Sequence, residues 1–305
     1  MTTEEWADWS CAVAVVTSEP GALAPSVEIV RTVMAEVAAA ASRFRDDSDL
    51  VRVNNRPGRY VPVSPLLLTL VDLAISVAES TAGAVTPTVG AALAAAGYDD
   101  DIAVVRARPS TSEGEQDAPV PRAAEVVRVD RELCRVGVTD GTILDLGAVG
   151  KAWAVDESVR RLAARGIDGV LVSIGGDLAV HGTPPGGWRI AVSETPDSAA
   201  ELVEIDAGAL ATSSTRGRRW AGGRHHVIDP RTGRSTRGRW RSATVWAPTV
   251  VEANVFSTWT LVSADEAEAA LARAGRPSRL VADDGRIVPR AGWPTATSDA
   301  PQVVS

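Results

Sequence analysis

The sequence predicts an α+β fold, with mixed sheets and helices in a single domain. Three observations lead to this prediction. Two segments in the first third of the chain predict helices: residues 27–44 repeat apolar residues at helical spacing, and residues 64–83 open with a capping serine and a proline. Short apolar segments typical of strands dominate the second half, where helices stand among them in irregular order. This irregular order favours α+β over a regular βαβ winding.

The first elements follow from local signals. Residues 10–18, SCAVAVVTS, predict a strand, and Pro25-Ser26 provides the start signal of the helix over 27–44. A second helix begins at Ser64-Pro65, where a capping side chain precedes proline at the first helical position, and it ends near Gly83. Residues 107–123 are polar and proline-rich, and they predict a surface loop insertion.

Strands are expected in most of the remaining chain. VVRVD, LCRVGV and TILDLG predict three strands, followed by a helix over residues 151–164. GVLVSIGGDLAVHG predicts two strands joined by a turn at its paired glycines. Further strands are predicted in WRIAVSE, LVEIDAGALATSS, RHHVIDPRTG and SATVWAP, and two helices in VEANVFSTWTLV and ADEAEAALARAG. A hairpin turning at Asp284-Gly285 closes the domain over residues 1–293, and 294–305 are expected to form a loose tail.

Composition excludes several classes of protein. With 45% apolar residues in 305, the chain has a globular composition. The formal net charge of −8 argues against nucleic-acid binding, which needs a basic face. No apolar run is long enough for a transmembrane segment. The first residues lack both a signal-peptide pattern and a lipid-attachment cysteine, so we expect a cytoplasmic location.

The segment DLGAVGK, residues 145–151, raises the question of an anion site. It lacks the spacing and the final hydroxyl of a phosphate-binding loop, so Lys151 is either a solvated residue or a ligand contact. Asp145 stands inside an apolar segment, where an unpaired carboxylate would cost several kcal/mol. Asp145 therefore needs a partner, a ligand or a metal.

Two further aspartates and a histidine pair resemble site residues, although each also has a structural explanation. Asp177 follows two glycines and Asp229 precedes a proline, positions where aspartate often caps backbone amides. His225 and His226 stand near an arginine-rich loop, which is either solvated or suited to a polyphosphate. Ser213, in ATSST, suits capping or phosphate contact, and no nucleophile elbow surrounds it.

Taken in order, seven segments between residues 42 and 262 resemble the ApbE-like family, the FAD:protein FMN transferases. They are SRFRDDSDLVRVNN, TAGAVTPTVG, DLGAVGKAWAVD, LVSIGGDL, ALATSST, HHVIDPRTG and SATVWAPTVVEANVFST. The resemblance implies a domain that binds FAD in an extended cleft, with Mg²⁺ at the pyrophosphate. It also implies transfer of FMN to a Thr or Ser hydroxyl of a target flavoprotein, with release of AMP.

The resemblance also implies roles for individual residues. The expected catalytic base is His226 or Asp229, and the expected Mg²⁺ ligands are the Ala148 carbonyl, Asn254 and Thr258. The family usually has aspartate where Asn254 stands, and often where Thr86 stands. An amide oxygen still binds Mg²⁺, but one negative charge fewer weakens the site. The expected FAD contacts are Asn54, Ala84, Val85, Thr86, Asp145, Lys151, Ser213, His226 and Ile228.

Two other functions share these features. A Mg²⁺-dependent FAD pyrophosphatase would use water in place of the protein hydroxyl and release free FMN with AMP. A non-catalytic flavin-binding protein would hold FAD intact, an alternative that Thr86 and Asn254 keep open.

Overall fold

The computed structural model describes residues 1–108, 118–194 and 200–293, together with the backbone of 303–304. Residues 109–117 of the predicted loop, and 294–302 and 305 of the predicted tail, lie outside this range. Two compact units emerge from the contacts. Unit 1 comprises Met1–Val33, Lys151–Gly217 and Gly238–Ser305, and unit 2 comprises Met34–Gly150 and Arg218–Arg237.

Helices occur in both units. None of those in the described ranges is long and apolar enough to cross a membrane. In chain order they are α1 (Leu23–Ala41), α2 (Asp49–Asn54), α3 (Pro65–Ser80), α4 (Gly90–Ala95), α5 (Ile102–Ala107), α6 (Ala123–Val126), α7 (Gly147–Ala164), α8 (Val250–Val262) and α9 (Ala264–Ala274).

Strands form one large sheet and three small ones within the described residues. The chain order is β1 (Thr2–Asp8), β2 (Cys11–Thr17), β3 (Val61–Pro62), β4 (Val127–Asp130), β5 (Arg135–Val138), β6 (Val170–Ile174), β7 (Asp177–His181), β8 (Trp188–Val192), β9 (Glu201–Ile205), β10 (Gly208–Ser214), β11 (Ile228–Asp229), β12 (Arg234–Ser235), β13 (Trp240–Ala247), β14 (Ser278–Ala282), β15 (Ile287–Arg290) and β16 (Val303–Val304).

Unit 1 is built on an eight-stranded sheet in the order β1-β2-β6-β7-β10-β13-β14-β15, in which every neighbouring pair is antiparallel. Alternate residues of β10 face opposite sides of it. Leu210 joins an apolar cluster with Trp188 and Ile190 of the smaller β16-β8-β9 sheet. Its neighbour Ala211 packs against α8 on the other side. The large sheet is therefore covered by β8 and β9 on one face and by α8 on the other.

Unit 2 contains α2 to α6 and two small antiparallel sheets, β3-β5-β4 and β11-β12. Its apolar cluster joins α4, α5 and the segment that leads into β11. The buried members of that cluster are Leu93, Ala96, Tyr98, Ile102, Val105, Trp220 and Ile228.

Most predicted elements are confirmed, because their signals are local. Ser64 caps α3 by accepting a hydrogen bond from the Leu67 amide at 3.2 Å. The glycines before Asp177 form the two-residue turn between β6 and β7, with φ of 63° at Gly175 and 88° at Gly176. Positive φ at both positions suits the tight hairpin turns that follow the twist of the strands.

The predicted strand in TILDLG is wrong. Residues 142–146 have no ladder partner and run as irregular chain up to the start of α7. Their backbone groups bond elsewhere: Asp145 N donates to Pro87 O at 2.8 Å, and Ile143 O accepts from Gly90 N at 3.1 Å. A Cβ at position 90 would lie 2.4 Å from that carbonyl, so only glycine permits this approach.

Other predictions missed element boundaries. Strand β1 was not predicted, because its alternation of TTEEWAD contains a single large apolar residue, Trp6. Helix α7 begins at Gly147 rather than at residue 151, and α1 begins at Leu23, ahead of the predicted start signal. Residues 303–304 pair in parallel with β8.

Candidate functional site

Helix α8 lies close to the large sheet because small side chains meet at their contact. Ala253 packs against Ala211 of β10 and Ala247 of β13, and all three are fully buried. With only methyl groups between them, helix and sheet backbones approach closely. The polar side chains beside Ala253 therefore reach the ends of β7 and β10.

Asp177 and Asn254 form the centre of a polar cluster in unit 1. The Asn254 Nδ2 atom donates to Asp177 Oδ1 at 3.1 Å and to Oδ2 at 3.3 Å. Lys151 places its Nζ 3.5 Å from Oδ2 of the same carboxylate. Asp177 is 1% exposed and Asn254 is 7% exposed. The lysine thus balances the charge of a buried carboxylate, as such a group requires.

The second end of the Asn254 amide is an unusual acceptor. Its Oδ1 atom is buried and has no hydrogen-bond partner among the described residues. Buried polar atoms without a partner are uncommon in folded proteins and cost about 1–3 kcal/mol each. This oxygen is therefore a candidate ligand for a group that binds there.

Hydroxyl groups continue the cluster one turn further along α8. The Ser213 Oγ atom, at the end of β10, lies 2.8 Å from Ser257 Oγ and 2.8 Å from Thr258 Oγ1. Residues four apart on a helix share a face, so Asn254 and Thr258 lie on one side of α8. Three of the predicted site residues, Ser213, Asn254 and Thr258, are thus brought together with Lys151 in unit 1.

Asp156 of α7 caps the start of α8 from outside that helix. Its Oδ1 accepts from the Val250 amide at 2.8 Å and its Oδ2 from the Val251 amide at 3.0 Å. Burial raises the pKa of the Asp156 carboxyl above its ordinary value, and the charge of Asp177 adds to this, while the two amides act in the opposite direction. This carboxylate ties the first turn of α8 to α7.

A small pocket in unit 2 collects four other predicted residues. Val85, Thr86, Asp145 and Ala148 line it together. Thr86 starts a short 3-10 helix and its Oγ1 lies 2.8 Å from Thr88 Oγ1. Ala84 precedes this lining in a turn, with its N donating to Thr81 O at 3.0 Å.

Asn54 holds the irregular segment that carries Asp145. Its Nδ2 donates to Leu144 O at 3.0 Å, and its Oδ1 accepts from Leu144 N at 2.9 Å. One side chain thereby satisfies both backbone groups of a buried residue, as a neighbouring strand otherwise would. In this structure Asn54 has a clear structural part beside its predicted cofactor contact.

Both carboxylate oxygens of Asp145 have partners within the protein. Its Oδ2 accepts from Arg43 Nε at 2.8 Å, and its Oδ1 accepts from Gly147 N at 2.8 Å, at the start of α7. The Arg43 guanidinium also lies 4.5 Å from the ring centroid of Phe44 and 5.2 Å from that of Tyr98. Burial raises the pKa of the Tyr98 hydroxyl. The partner that the sequence predicted for Asp145 is therefore Arg43, in an ion pair.

The two histidines have different surroundings. His225 is buried, and its Nδ1 accepts from Val227 N at 3.3 Å, so its Nε2 donates to Thr236 O at 3.0 Å. His226 is half-buried. Backbone contacts on both ring nitrogens make His225 a structural residue, and the predicted catalytic role belongs to His226.

Asp229 and Ile228 form β11, which pairs with β12. Asp229 accepts a bidentate pair from Arg231, with Nε to Oδ1 and Nη2 to Oδ2 both at 2.9 Å. Its Oδ1 also accepts from the Arg231 amide at 2.9 Å. Ile228 belongs to the apolar cluster of unit 2 and is 5% exposed. Asp229 therefore lies at the end of β11, just before the turn to β12, and Ile228 lies in a core.

Sequence reasoning missed Asp177, Asp156 and Arg43 as members of these clusters. Asp177 was noticed as an acid after two glycines, but its position beside Asn254 depends on strand register, which no local signal reveals. Arg43 contacts an aspartate 102 residues away. The sequence indicated that Asp145 needs a partner, but it did not indicate which residue that partner is.

Comparisons with known proteins give the family. The sequence model of the ApbE family matches residues 8–281, which is most of the chain. The chain belongs to the ApbE family. A relative from Klebsiella pneumoniae named FAD:protein FMN transferase is 30% identical over 241 residues, covering 74% of this chain and 67% of that protein. A Treponema pallidum protein of the same name is 28% identical over 317 residues, covering 92% and 84%.

Solved structures of the ApbE family share the fold. The ApbE protein of Thermotoga maritima superimposes with a TM-score of 0.80 at 24% identity, covering 96% of this chain and 97% of that one. The flavin transferase ApbE of Vibrio cholerae gives 0.78 at 25% identity, with the same coverage. The α+β fold class predicted from the sequence is confirmed.

Proposed function

We propose that this protein transfers FMN from FAD to a Thr or Ser hydroxyl of a target flavoprotein, with Mg²⁺ as the metal and AMP as the second product. The observation that carries the proposal is the name shared by relatives that match 74% to 92% of the chain, FAD:protein FMN transferase. The polar cluster on α8 and the pocket of unit 2 support it, because both contain residues that the family resemblance assigns to the site.

The residues of unit 1 fit a hard divalent cation. Asn254 Oδ1 is a buried oxygen without a partner in the described chain, and Thr258 supplies a hydroxyl on the same helix face. The described residues contain no group of three or more His, Cys, Asp or Glu side chains that could hold a metal by themselves. Mg²⁺ commonly uses few protein ligands and completes its shell with water and substrate phosphates.

When bound, Mg²⁺ would neutralise charge on the pyrophosphate as its bond breaks. Asn254 and Thr258 would hold the metal in unit 1, whereas Ala148 stays a prediction from the sequence resemblance. Lys151 brings a positive charge suited to an anionic cofactor, and its Nζ lies 3.5 Å from Oδ2 of Asp177.

The proposed transfer is a direct displacement. The acceptor hydroxyl oxygen forms a bond to the phosphorus of the FMN half, and the bond from that phosphorus to the bridging oxygen breaks. AMP leaves with the bridging oxygen, and the hydroxyl proton passes to a base. His226 suits that part better than Asp229, because both Asp229 oxygens already accept hydrogen bonds from Arg231.

The test incubates the purified protein with FAD, MgCl₂ and a flavoprotein acceptor that carries a Thr flavinylation site. We expect AMP in stoichiometric yield and an acceptor whose mass increases by one FMN. The matched control is an acceptor with that Thr replaced by Ala, which should gain no mass.

Each alternative gives a different result. Free FMN with AMP and an unmodified acceptor would identify a pyrophosphatase, and intact FAD would identify a binding protein. Either result would refute the transferase proposal.

Replacing His226 by Gln should reduce the transfer rate about 10²- to 10⁴-fold, the usual contribution of a general base.

A further inference from the structure

We propose that Asp177 is a positioning residue that fixes which end of the Asn254 amide is offered to the metal. The inference rests on the proposed function, in which Asn254 is a Mg²⁺ ligand. It concerns Asp177, a residue to which neither the sequence motifs nor the comparisons assign a part. The reason lies in the chemistry of an amide ligand.

An asparagine side chain is a two-faced ligand. Its oxygen accepts and can bind a hard cation, whereas its nitrogen only donates and would repel one. A half-turn about the last side-chain torsion exchanges the two ends at little steric cost. An amide at a metal site therefore needs a neighbour that selects one orientation.

The Asp177 carboxylate is such a neighbour. Both of its oxygens accept from Asn254 Nδ2, at 3.1 and 3.3 Å. An ionised carboxylate is an acceptor only, so the reversed amide would set oxygen against oxygen. Asp177 is 1% exposed, so water has little access to stabilise the reversed form. The contact thus holds the nitrogen at the carboxylate.

The same contact leaves Asn254 Oδ1 at the opposite end of the amide. That atom is buried and has no partner in the part of the chain that the structure describes. Asn254 itself is 7% exposed. A buried acceptor without a bond is where an approaching cation gains most. The orientation that Asp177 selects is therefore the one that a cation site requires.

Asp177 is itself held on rigid structure. It is the first residue of β7, opposite Ile174 of β6 and opposite Ala211 of β10. Pairing on both sides fixes its backbone, and Lys151 Nζ, 3.5 Å from Oδ2, holds its carboxylate. A side chain supported in this way can orient another more reproducibly than one on a loop.

The experiment compares Asp177→Asn, Asn254→Asp and the double variant with the wild type. The exposed Asp206→Asn serves as the control for the same chemical change elsewhere in unit 1. The first readout is hydrogen exchange of the Asn254 side-chain amide by ¹⁵N-edited NMR, with the signal assigned from its loss in Asn254→Asp. The second is the MgCl₂ concentration at half-maximal melting shift, with FAD present throughout.

We expect Asp177→Asn to speed exchange of the Asn254 amide and to raise the MgCl₂ midpoint about 10- to 100-fold, the usual effect of losing a partner that orients a metal ligand. In the double variant the amide introduced at 177 donates to the carboxylate introduced at 254. One oxygen then remains for the metal, so the midpoint should recover. Asp206→Asn should resemble the wild type.

Two results would overturn the proposal. The first is unchanged exchange and an unchanged midpoint in Asp177→Asn. The second is a raised midpoint that the double variant fails to recover while its circular dichroism stays native, because Asp177 would then act in another way, for example as a ligand itself. If the wild type transfers no FMN and MgCl₂ does not change its melting temperature, the proposed function is wrong. The exchange rate of the Asn254 amide in Asp177→Asn then still shows whether Asp177 orients that amide.

Discussion

At the residue scale, two carboxylates with little exposure are held by partners far away in sequence. Asp145 pairs with Arg43 across 102 residues, and Asp177 bonds to Asn254 across 77. Each contact satisfies a group that would otherwise lose its hydration without compensation. The loss of one partner therefore costs more than the loss of an exposed ion pair.

The pair of Arg43 and Asp145 allows a direct comparison. Their side chains are 9% and 15% exposed, so Arg43→Ala leaves a carboxylate buried without its charge partner. We expect the free energy of unfolding, measured by urea denaturation without FAD, to fall by about 3–5 kcal/mol.

The matched control for Arg43 is Arg45→Ala. Arg45 pairs with Asp47, and these side chains are 48% and 73% exposed. This substitution should change the free energy of unfolding far less than Arg43→Ala does, since water screens an exposed pair. Equal losses in the two variants would mean that Asp145 does not depend on Arg43.

At the element scale, the position of α8 depends on contacts with three other elements. Ala253 packs on β10 and β13, while Asp156 of α7 accepts from the first two amides of α8. The amides at a helix start lack partners within the helix, and a carboxylate there also suits the helix dipole. Contacts with α7 thus hold the first turn of α8, the helix that carries Asn254 and Thr258.

The raised pKa of Asp156 means that burial outweighs the two amide contacts and makes the net contribution of Asp156 to stability depend on pH. The folded protein holds the Asp156 proton more tightly than the unfolded chain, whose pKa stays near the ordinary 3.8. The contribution of Asp156 to the free energy of unfolding is therefore largest below about pH 4, and it declines as pH rises through the folded pKa. The test measures the free energy of unfolding of the wild type and of Asp156→Asn by urea denaturation at pH 4 to 7. We expect the difference, wild type minus variant, to decrease as pH rises.

The neighbouring Glu157→Gln provides a control of opposite sign. The hydrogen bond from Arg160 lowers the pKa of Glu157, so its stabilisation is present above the unfolded pKa and is lost as pH falls. Its exposed partner makes this effect small. A wild-type minus Asp156→Asn difference that stays constant or increases with pH would contradict the assignment to burial.

At the scale of the whole molecule, each unit has its own apolar cluster and its own set of predicted site residues. Lys151, Ser213, Asn254 and Thr258 belong to unit 1, and the remaining predicted residues belong to unit 2. If the proposed function is correct, FAD should stabilise the folded protein as a whole, because a ligand that binds only the native state adds to its stability.

We expect FAD with MgCl₂, at about 100 times its Kd, to add about 2.7 kcal/mol of stability and to raise the melting temperature by several degrees. EDTA should reduce this shift if, as proposed, Asn254 and Thr258 hold Mg²⁺ when FAD is bound. Riboflavin, which lacks phosphates, should give a smaller shift that does not respond to EDTA. A melting temperature unaffected by FAD would argue against any flavin function.

Much of the fold could be predicted because its signals are short. The Ser64 cap of α3, the Gly175-Gly176 turn and the hairpin at Asp284-Gly285 depend on a few adjacent residues. The strand prediction for TILDLG failed because an apolar run predicts a strand, whereas the Asn54 side chain and the backbone of Pro87 and Gly90 bond to this segment instead. Periodicity cannot report where such partners come from.

By itself, the sequence determined the α+β class, most elements and the family, since caps, turns and ordered motifs are written in neighbouring residues. Only the tertiary structure decided which polar side chains meet. It paired Asp145 with Arg43, tied His225 to backbone and set Asp177 against the Asn254 amide. The physical reason is that a buried charge or amide must be satisfied by whatever the fold brings to it, and strand register and helix packing set that neighbour.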